Sequence, residues 1–243
     1  MMIKDEVRFQ TENQSRYAGI EALRSTEVCL KNYNRDLIDK FLAFLNSKGT
    51  ILEFGAGIGT LAVLWAEKTG KKPDCFEIDQ TQREMLCQRG FSSYSDFSEL
   101  PKIYEGIYTS NVLEHIENDL QALKNLSSIL KPGGILVIYV PAFQCLYSVM
   151  DQALGHYRRY NKKELLEKLA QANYEIVYSS YSDSVGFFAS IFLKFKKSLS
   201  TTEERKIFAI YDRFIYPLSK ILDRLGFQYL FGKNLFVVAK KRR

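Results

Sequence analysis

The sequence predicts an α/β domain built on a doubly wound, mostly parallel sheet. Three observations carry this reading. Short apolar runs alternate with amphipathic helical runs from about residue 50 to residue 181. Residues 51–60, Ile-Leu-Glu-Phe-Gly-Ala-Gly-Ile-Gly-Thr, read as a buried strand that passes through a glycine-rich turn into a helix. Ile135–Val140 is a near-continuous apolar run, as in a strand covered on both faces.

Each element has its own signal. Leu37, Ile38, Phe41, Leu42 and Leu45 share one helical face, with Asn34 placed to cap the helix and Asp36 in its first turn. After the glycine-rich turn, Thr60–Thr69 reads as a helix closed by Gly70. Residues 74–79 form a second strand with acids at its end, Glu77 and Asp79. Thr81–Arg89 is a helix stopped by Gly90, and Phe91–Tyr94 is a short third strand. Residues 105–110 lead into Asn111-Val-Leu-Glu-His-Ile, and a helix over about 118–130 carries Leu120, Leu123, Leu126 and Leu130. Lys131-Pro-Gly-Gly predicts a sharp turn before the apolar fifth strand, which Pro141 ends. Asn161-Lys-Lys-Glu164 has the spacing of a capping box for the next helix. Residues 174–181 and 235–239 are the last strands. Between them lie some fifty residues that a minimal sheet would not need, apolar and aromatic at 185–193 and again at 207–225. The chain therefore divides into a helical cap (1–48), a core (49–183), a basic and aromatic helical insertion (184–233) and a last strand (234–243) of a single domain.

Composition bounds the function. At 243 residues, 46% apolar and 26% charged, the chain is ordinarily globular. No apolar run is long enough to span a bilayer, and Met-Met-Ile-Lys-Asp-Glu lacks the layout of a secretion signal. Cys29, Cys75, Cys87 and Cys145 are scattered, which suits reduced thiols and a cytoplasmic setting. The net charge of +6 is uneven: residues 194–243 hold 13 Lys/Arg against 4 Asp/Glu. An anionic partner would meet that part first.

A glycine-rich turn between strand and helix brings backbone N–H groups and a positive helix end to a ligand. Glycines also let the ligand approach where a Cβ would block it. The dinucleotide fingerprint wants glycine at its first, third and sixth positions. Here those are Gly55, Gly57 and Thr60, and the spacing is instead Glu-x-Gly-x-Gly-x-Gly. A nicotinamide-dependent oxidoreductase is the alternative that Thr60 argues against.

Taken together, Glu53–Gly59, Phe76-Glu-Ile-Asp79, Asp96-Phe97, Asn111-Val-Leu-Glu-His-Ile116 and Leu130-Lys-Pro-Gly-Gly134 resemble the class I S-adenosylmethionine-dependent methyltransferases over residues 50–140. Tyr147-Ser-x-x-Asp151 with Gly155-His-Tyr-Arg-Arg-Tyr160 is similar to a bacterial subgroup of those enzymes. The resemblance implies a Rossmann-like, seven-stranded sheet with the last strand antiparallel, and S-adenosyl-L-methionine as cofactor. It implies that Gly55, Ala56, Gly57 and Gly59 hold the methionyl part. Glu77, with Asp79 as alternate and Ile78 between them, would take the ribose hydroxyls. Asp96 and Phe97 would meet the adenine, Asn111 would border the sulfonium, and Glu53 would orient the loop or contact the cofactor's amino group.

The acceptor side is read from position. His156 follows the fifth strand, where a substrate would enter, and a neutral imidazole there is a candidate general base for a hydroxyl nucleophile. Arg158 and Arg159 could grip a phosphate or carboxylate, with Tyr147 and Asp151 also in the pocket; the plainer reading pairs the arginines with acids of the fold. Glu114, His115 and Glu117 invite a metal reading, but adjacent positions do not converge on one point, so no metal site is expected. The expected reaction is O-methylation of a small, glycan or lipid-linked acceptor, the non-enzymatic alternative being a cofactor-binding partner protein. The basic insertion suits either packing or peripheral contact with an anionic membrane at its inner face. Nucleic acid is not expected.

Overall fold

A computed structural model describes residues 19–100, 103–194 and 201–243. Residues 1–18 of the expected cap, and Lys196 and Lys197 of the basic run, lie outside them. The centre is a seven-stranded sheet in the order β3-β2-β1-β4-β5-β7-β6. Its strands are β1 (Ile51–Phe54), β2 (Asp74–Phe76), β3 (Ser93–Tyr94), β4 (Tyr104–Ser110), β5 (Leu130–Pro141), β6 (Tyr174–Ser182) and β7 (Asn234–Lys241). β7 runs antiparallel to both β5 and β6, and the other pairs are parallel. This is a Rossmann-like, doubly wound sheet with the antiparallel last strand that the sequence resemblance implies. Its strand order reverses between β1 and β4, and ligands of doubly wound sheets bind at the carboxyl ends of such a pair.

Alternation along the central strands fills two cores. Leu136, Ile138 and Val140 of β5 and Leu235, Val237 and Ala239 of β7 join one, with Leu123 and Leu126 of α5 (Asp119–Ile129) and Leu165 and Leu169 of α7 (Lys162–Gln171). Val137, Tyr139, Phe236 and Val238 point the other way, onto Leu37, Ile38 and Phe41 of α2 (Lys31–Leu42) and Trp65 of α3 (Thr60–Thr69). Truncating a fully buried side chain such as Phe41 typically costs about 3–5 kcal/mol.

Three local expectations shift. α2 begins at Lys31, one turn early, so Asn34 is buried inside it. Its N-terminus is capped from a distance: the Asp212 carboxylate accepts from the Asn32 and Tyr33 amides at 2.9 and 2.8 Å. Such a cap is worth about 1 kcal/mol. The Lys131–Gly134 segment stays within β5 and bulges out of it, since Tyr104 pairs with Leu130 but Gly106 with Ile135. Asn161 makes no side-chain cap; the capping box sits instead at Ser148 and Asp151, opening α6 (Val149–Ala153).

The insertion consists of α8 (Ser184–Leu193), α9 (Thr201–Ile210), a π-helical turn (Tyr211–Ile215), α10 (Tyr216–Arg224) and a 3-10 turn (Phe227–Tyr229). Pro217 does not break the helix. The wide turn before it accommodates a residue with no N–H to give and a ring that would strike the preceding turn. Tyr211 and Tyr216 pack with Leu30 and Tyr33, at the junction of α1 (19–29 of the described residues) and α2, so the insertion joins the N-terminal helices over the second core.

Candidate active site

On the donor side, β1 delivers Glu53 and the glycine turn to the sheet's carboxyl edge. Gly55 has φ +76°, and a Cβ there would lie 2.3 Å from Val112 Cγ2. Only glycine fits both the backbone and the contact. The Gly55 and Ala56 amides donate to the Phe76 carbonyl at 2.8 and 3.1 Å, and the Gly59 amide to the Ala56 carbonyl at 2.9 Å. The Gly57 amide donates to Glu77 Oε2 at 2.8 Å. These four N–H groups are therefore held by the fold. The loop's part is its shape rather than a row of free donors. α3 opens directly behind it at a left-handed Gly59 without a side-chain cap, which leaves the positive helix end facing the cleft.

Glu77 is buried, and its Oε1 accepts from the Asp79 amide at 2.9 Å. Each oxygen keeps a lone pair for a further donor, so a hydroxyl pair can still be received. Asp79 instead caps α4 (Gln80–Gln88), accepting from the Gln82 amide at 3.0 Å. Ile78 is 77% exposed beside Glu77, an apolar surface available to a flat base. Asp96 caps the turn Phe97–Glu99, accepting from the Ser98 amide at 2.7 Å. The Phe97 ring packs on Phe76 and Phe54, with centroids 4.8 and 5.9 Å away. Glu53 is buried and accepts from the Tyr108 hydroxyl at 2.9 Å. Burial pushes its pKa up to about 8, against the Tyr108 bond and with help from Glu77. Asn111 follows β4 in a left-handed conformation, φ +53°, with its amide bonded to the Tyr139 carbonyl.

On the acceptor side, the frame around His156 is dense. Asp151 Oδ1 meets His156 Nδ1 at 2.8 Å, and Arg159 grips the same carboxylate through Nε and Nη2 at 2.9 and 3.0 Å. The Ser148 amide and hydroxyl add 2.9 and 2.8 Å bonds. Burial alone would raise the Asp151 pKa, but His156, Arg159 and Ser148 together hold it well below its usual range. Asp151 is therefore a carboxylate, acceptor only. His156 Nδ1 must carry the proton, and neutral His156 keeps its lone pair on Nε2. The Tyr147 hydroxyl donates to the His156 carbonyl at 2.6 Å. Arg158 is engaged elsewhere, with Asp119 at 2.9 Å and the Glu117 carbonyl at 2.7 Å. Of the expected substrate contacts, Tyr147 and Asp151 build the histidine's frame, and both arginines pair with acids of the fold. Arg159 keeps a buried Nη1 without a hydrogen-bond partner.

Sequence reasoning missed one convergence. It weighed Glu114 and His115 with Glu117, whereas the fold brings His156 to them. Ligand atoms of Glu114, His115 and His156 all lie within 4.8 Å of one another. The imidazole rings meet edge to face, 4.5 Å between centroids. His115 lies at the exposed rim, and desolvation by the protein around it, then the neighbouring His156, lowers its pKa to about 4. Glu114 is fully buried, and neither carboxylate oxygen has a hydrogen-bond partner. Burial raises its pKa to about 8; its own amide and Arg159 pull the other way without reaching hydrogen-bond geometry. The signal was present in the order of elements. Glu114 and His115 follow β4, His156 follows β5, and β4 and β5 are neighbours in the sheet.

Comparisons with known proteins agree with this geometry. No curated protein matches the sequence. A methyltransferase from Archaeoglobus fulgidus described as S-adenosylmethionine-dependent superposes with a TM-score of 0.59 at 19% identity, over 85% of this chain and 92% of that one. A phosphoethanolamine N-methyltransferase of Haemonchus contortus, solved with phosphomonomethylethanolamine and S-adenosylhomocysteine, gives 0.57 at 16%, over 86% and 52%. An S-adenosylmethionine-dependent methyltransferase of Mesorhizobium loti gives 0.55 at 15%, over 84% and 96%. These likenesses establish the fold. A family model described as a methyltransferase domain matches residues 28–179, more than half of the chain and all of the cleft built above. With the cradle that a Cβ at Gly55 would fill, the buried Glu77 and the apolar Ile78 beside it, the chain belongs to the methyltransferase-domain family.

Proposed function

We propose that this methyltransferase methylates an oxygen of its acceptor, and that His156 is the group that activates that oxygen. The observation that carries the reading is the Asp151–His156 pair, which fixes the imidazole tautomer and leaves Nε2 as a lone-pair donor. S-adenosylmethionine, when bound, supplies an electrophilic methyl group on a sulfonium that leaves as a neutral thioether. The chain's part is to hold the acceptor oxygen in line and to remove its proton, so that the C–O bond forms on an anionic or nearly anionic oxygen. Residues of the glycine turn, Glu77, Ile78, Asp96, Phe97 and Asn111 hold the donor side, and Glu53 lies beneath the loop. With its substrate in hand, His156→Ala is expected to lower kcat at least about 100-fold while the cofactor Kd moves less than about threefold. Wild-type turnover in that variant removes the proposal.

We further propose that the acceptor is lipid-linked and met at an anionic membrane surface. The supporting observation is the insertion's apolar exposure: Phe192, Leu225 and Leu230 are 81%, 72% and 69% exposed, and Arg213 and Arg224 of the same insertion are exposed as well. Apolar side chains flanked by cations suit an interface with acidic head groups. Among the described residues no helix is long and apolar enough to cross a membrane. Co-sedimentation with vesicles containing phosphatidylglycerol, and loss of it in Phe192→Ser/Leu225→Ser, is the expected result. Failure to bind at low salt leaves the insertion as a packing layer.

The subgroup suggested by Tyr147, Asp151 and the Gly155–Tyr160 segment belongs to the same reading. Of those residues Tyr147, Asp151 and Arg159 form the frame of His156.

A further inference from the structure

We propose that Glu114, His115 and His156 form a divalent-metal site in the acceptor pocket, with open positions for an acceptor oxygen. The inference rests on the O-methylation reading and replaces its direct base with a metal ion that His156 helps to hold. Three donors converge there: a carboxylate from the segment after β4, the imidazole next to it, and the imidazole after β5, with one ligand atom of each within 4.8 Å of the others. Donors around an ion with bonds near 2.1 Å stand about 3.4 Å apart in tetrahedral geometry, so modest side-chain rotations close the set.

The second observation is Glu114 itself. Its side chain is fully buried, both oxygens lack a hydrogen-bond partner, and it faces the two histidines. A buried carboxyl without partners is costly to the fold, and such a group in a native structure calls for a ligand. A cation supplies what the chain does not. The rest of the pocket is consistent with this. Asp151 holds the far nitrogen of His156, the carboxylate–histidine arrangement that orients metal-bound imidazoles and fixes their tautomer. Arg159 faces the same region, but its Nε and Nη2 are engaged by Asp151.

Two imidazoles and one carboxylate suit a first-row divalent ion such as Mn²⁺ or Zn²⁺ better than Ca²⁺. Three protein donors leave coordination positions open, as in catalytic rather than structural sites. An acceptor hydroxyl taking one of them gives a lone pair to the ion and loses its proton to solvent water. The resulting oxygen then attacks the donor methyl, and the C–S bond breaks as the C–O bond forms. In that arrangement His156 serves by holding the ion, and the ion activates the oxygen.

The test uses the full chain, stripped with a chelator and dialysed. Calorimetric titration with MnCl₂ and with ZnCl₂ is expected to show one equivalent bound. Co²⁺ substitution is expected to give visible d–d bands that Glu114→Gln and His115→Asn abolish. Each variant should weaken metal binding at least about tenfold, and Asp151→Asn about 10–100-fold, with the S-adenosylmethionine Kd unchanged in His115→Asn. His115 is exposed, so His115→Asn reports on the ligand even where a buried variant fails to fold. No stoichiometric binding up to 1 mM, or equal affinity in the wild type and His115→Asn, overturns the site. Full activity of the chelator-treated enzyme also overturns it while leaving His156 as a direct base. Absence of methyl transfer to any oxygen, with metal bound as described, overturns the O-methylation reading alone.

Discussion

Across the cleft, the donor and acceptor sides treat their polar groups in opposite ways. The amides of Gly55, Ala56 and Gly57 are all bonded inside the fold, and both oxygens of Glu77 accept from backbone amides. Facing them, both oxygens of Glu114 and Nη1 of Arg159 are buried with no partner. A pocket whose internal bonds are complete is preorganised, and a ligand enters it mainly by filling its shape. A pocket with unpartnered polar groups is complete only when something else arrives. The donor is common to the whole family, so its cradle can be built in full. The acceptor is particular to each enzyme, and here its side of the cleft carries the uncompensated groups.

The largest expected effect tests the rigidity of the donor side. Gly55→Ala places a methyl 2.3 and 2.7 Å from the two Val112 γ-carbons, at a backbone φ of +76°. Val112 is β-branched and cannot rotate away cheaply. The expected cost is about 2–4 kcal/mol in urea unfolding, with cofactor binding lost beyond calorimetric detection. Gly57→Ala is the control: its Cβ meets Leu23 Cδ1 at an ordinary 3.4 Å, so its penalty is confined to the backbone. Equal cofactor affinity in Gly55→Ala and wild type would break the contrast drawn above.

Next in size is Asp151→Asn, which strikes the acceptor side. The amide offers Arg159 no charge and can present its NH₂ to His156, moving the imidazole proton to Nε2. A wrong tautomer removes the lone pair that either a base or a metal ligand needs. A fall of 10²-fold or more in kcat is expected, by analogy with the aspartate-to-asparagine change in serine proteases. Stability should drop by about 3 kcal/mol at pH 7, because Arg159 is left buried without its counter-ion. The sign with pH follows from the depressed Asp151 pKa. The wild type's advantage is present above its ordinary carboxyl range and fades as pH falls through that range and below. Urea melts at pH 7, 4.5 and 3 should show the gap between the two proteins closing.

The same contrast explains what the sequence could reveal. The donor cradle lies in contiguous stretches, 53–59, 77–79 and 96–97, where each motif specifies its own turn and strand end. The seven strands and the antiparallel last strand followed from the family resemblance, and the long strands were visible in the alternation of Leu136–Val140 and Leu235–Ala239; the strand order came only with the structure. The acceptor side is assembled from segments forty residues apart. Glu114 and His115 looked like ordinary residues of a helix start until adjacency of β4 and β5 brought His156 to them. Caps were the least legible. Asp212 caps α2 from 180 residues away, a contact no local pattern encodes, and Asn161 has the right spacing yet makes no bond.

The smallest expected effect on ligand binding sharpens the comparison by separating stability from binding on the donor side. Glu53 is raised to about 8 by burial, above its ordinary value of 4.5. A raised carboxyl contributes stability that is fully present below pH 4.5 and is lost as pH rises through 8. Glu53→Gln keeps an acceptor for the Tyr108 hydroxyl and removes that ionisation. The variant should therefore match wild type near pH 4 and become the more stable of the two as pH rises, by at most about 1.4 kcal/mol per unit, levelling off past pH 8. Thermal melts across pH 4–9 measure this. Its cofactor affinity should move the other way, weakening roughly tenfold, because the carboxylate is the partner expected for the cofactor's ammonium group. A variant that is more stable and binds equally well would make Glu53 a mere buried acid. A variant that is more stable and binds worse would mean that even the complete donor side holds one charge in reserve for its ligand, and that the two sides differ in degree.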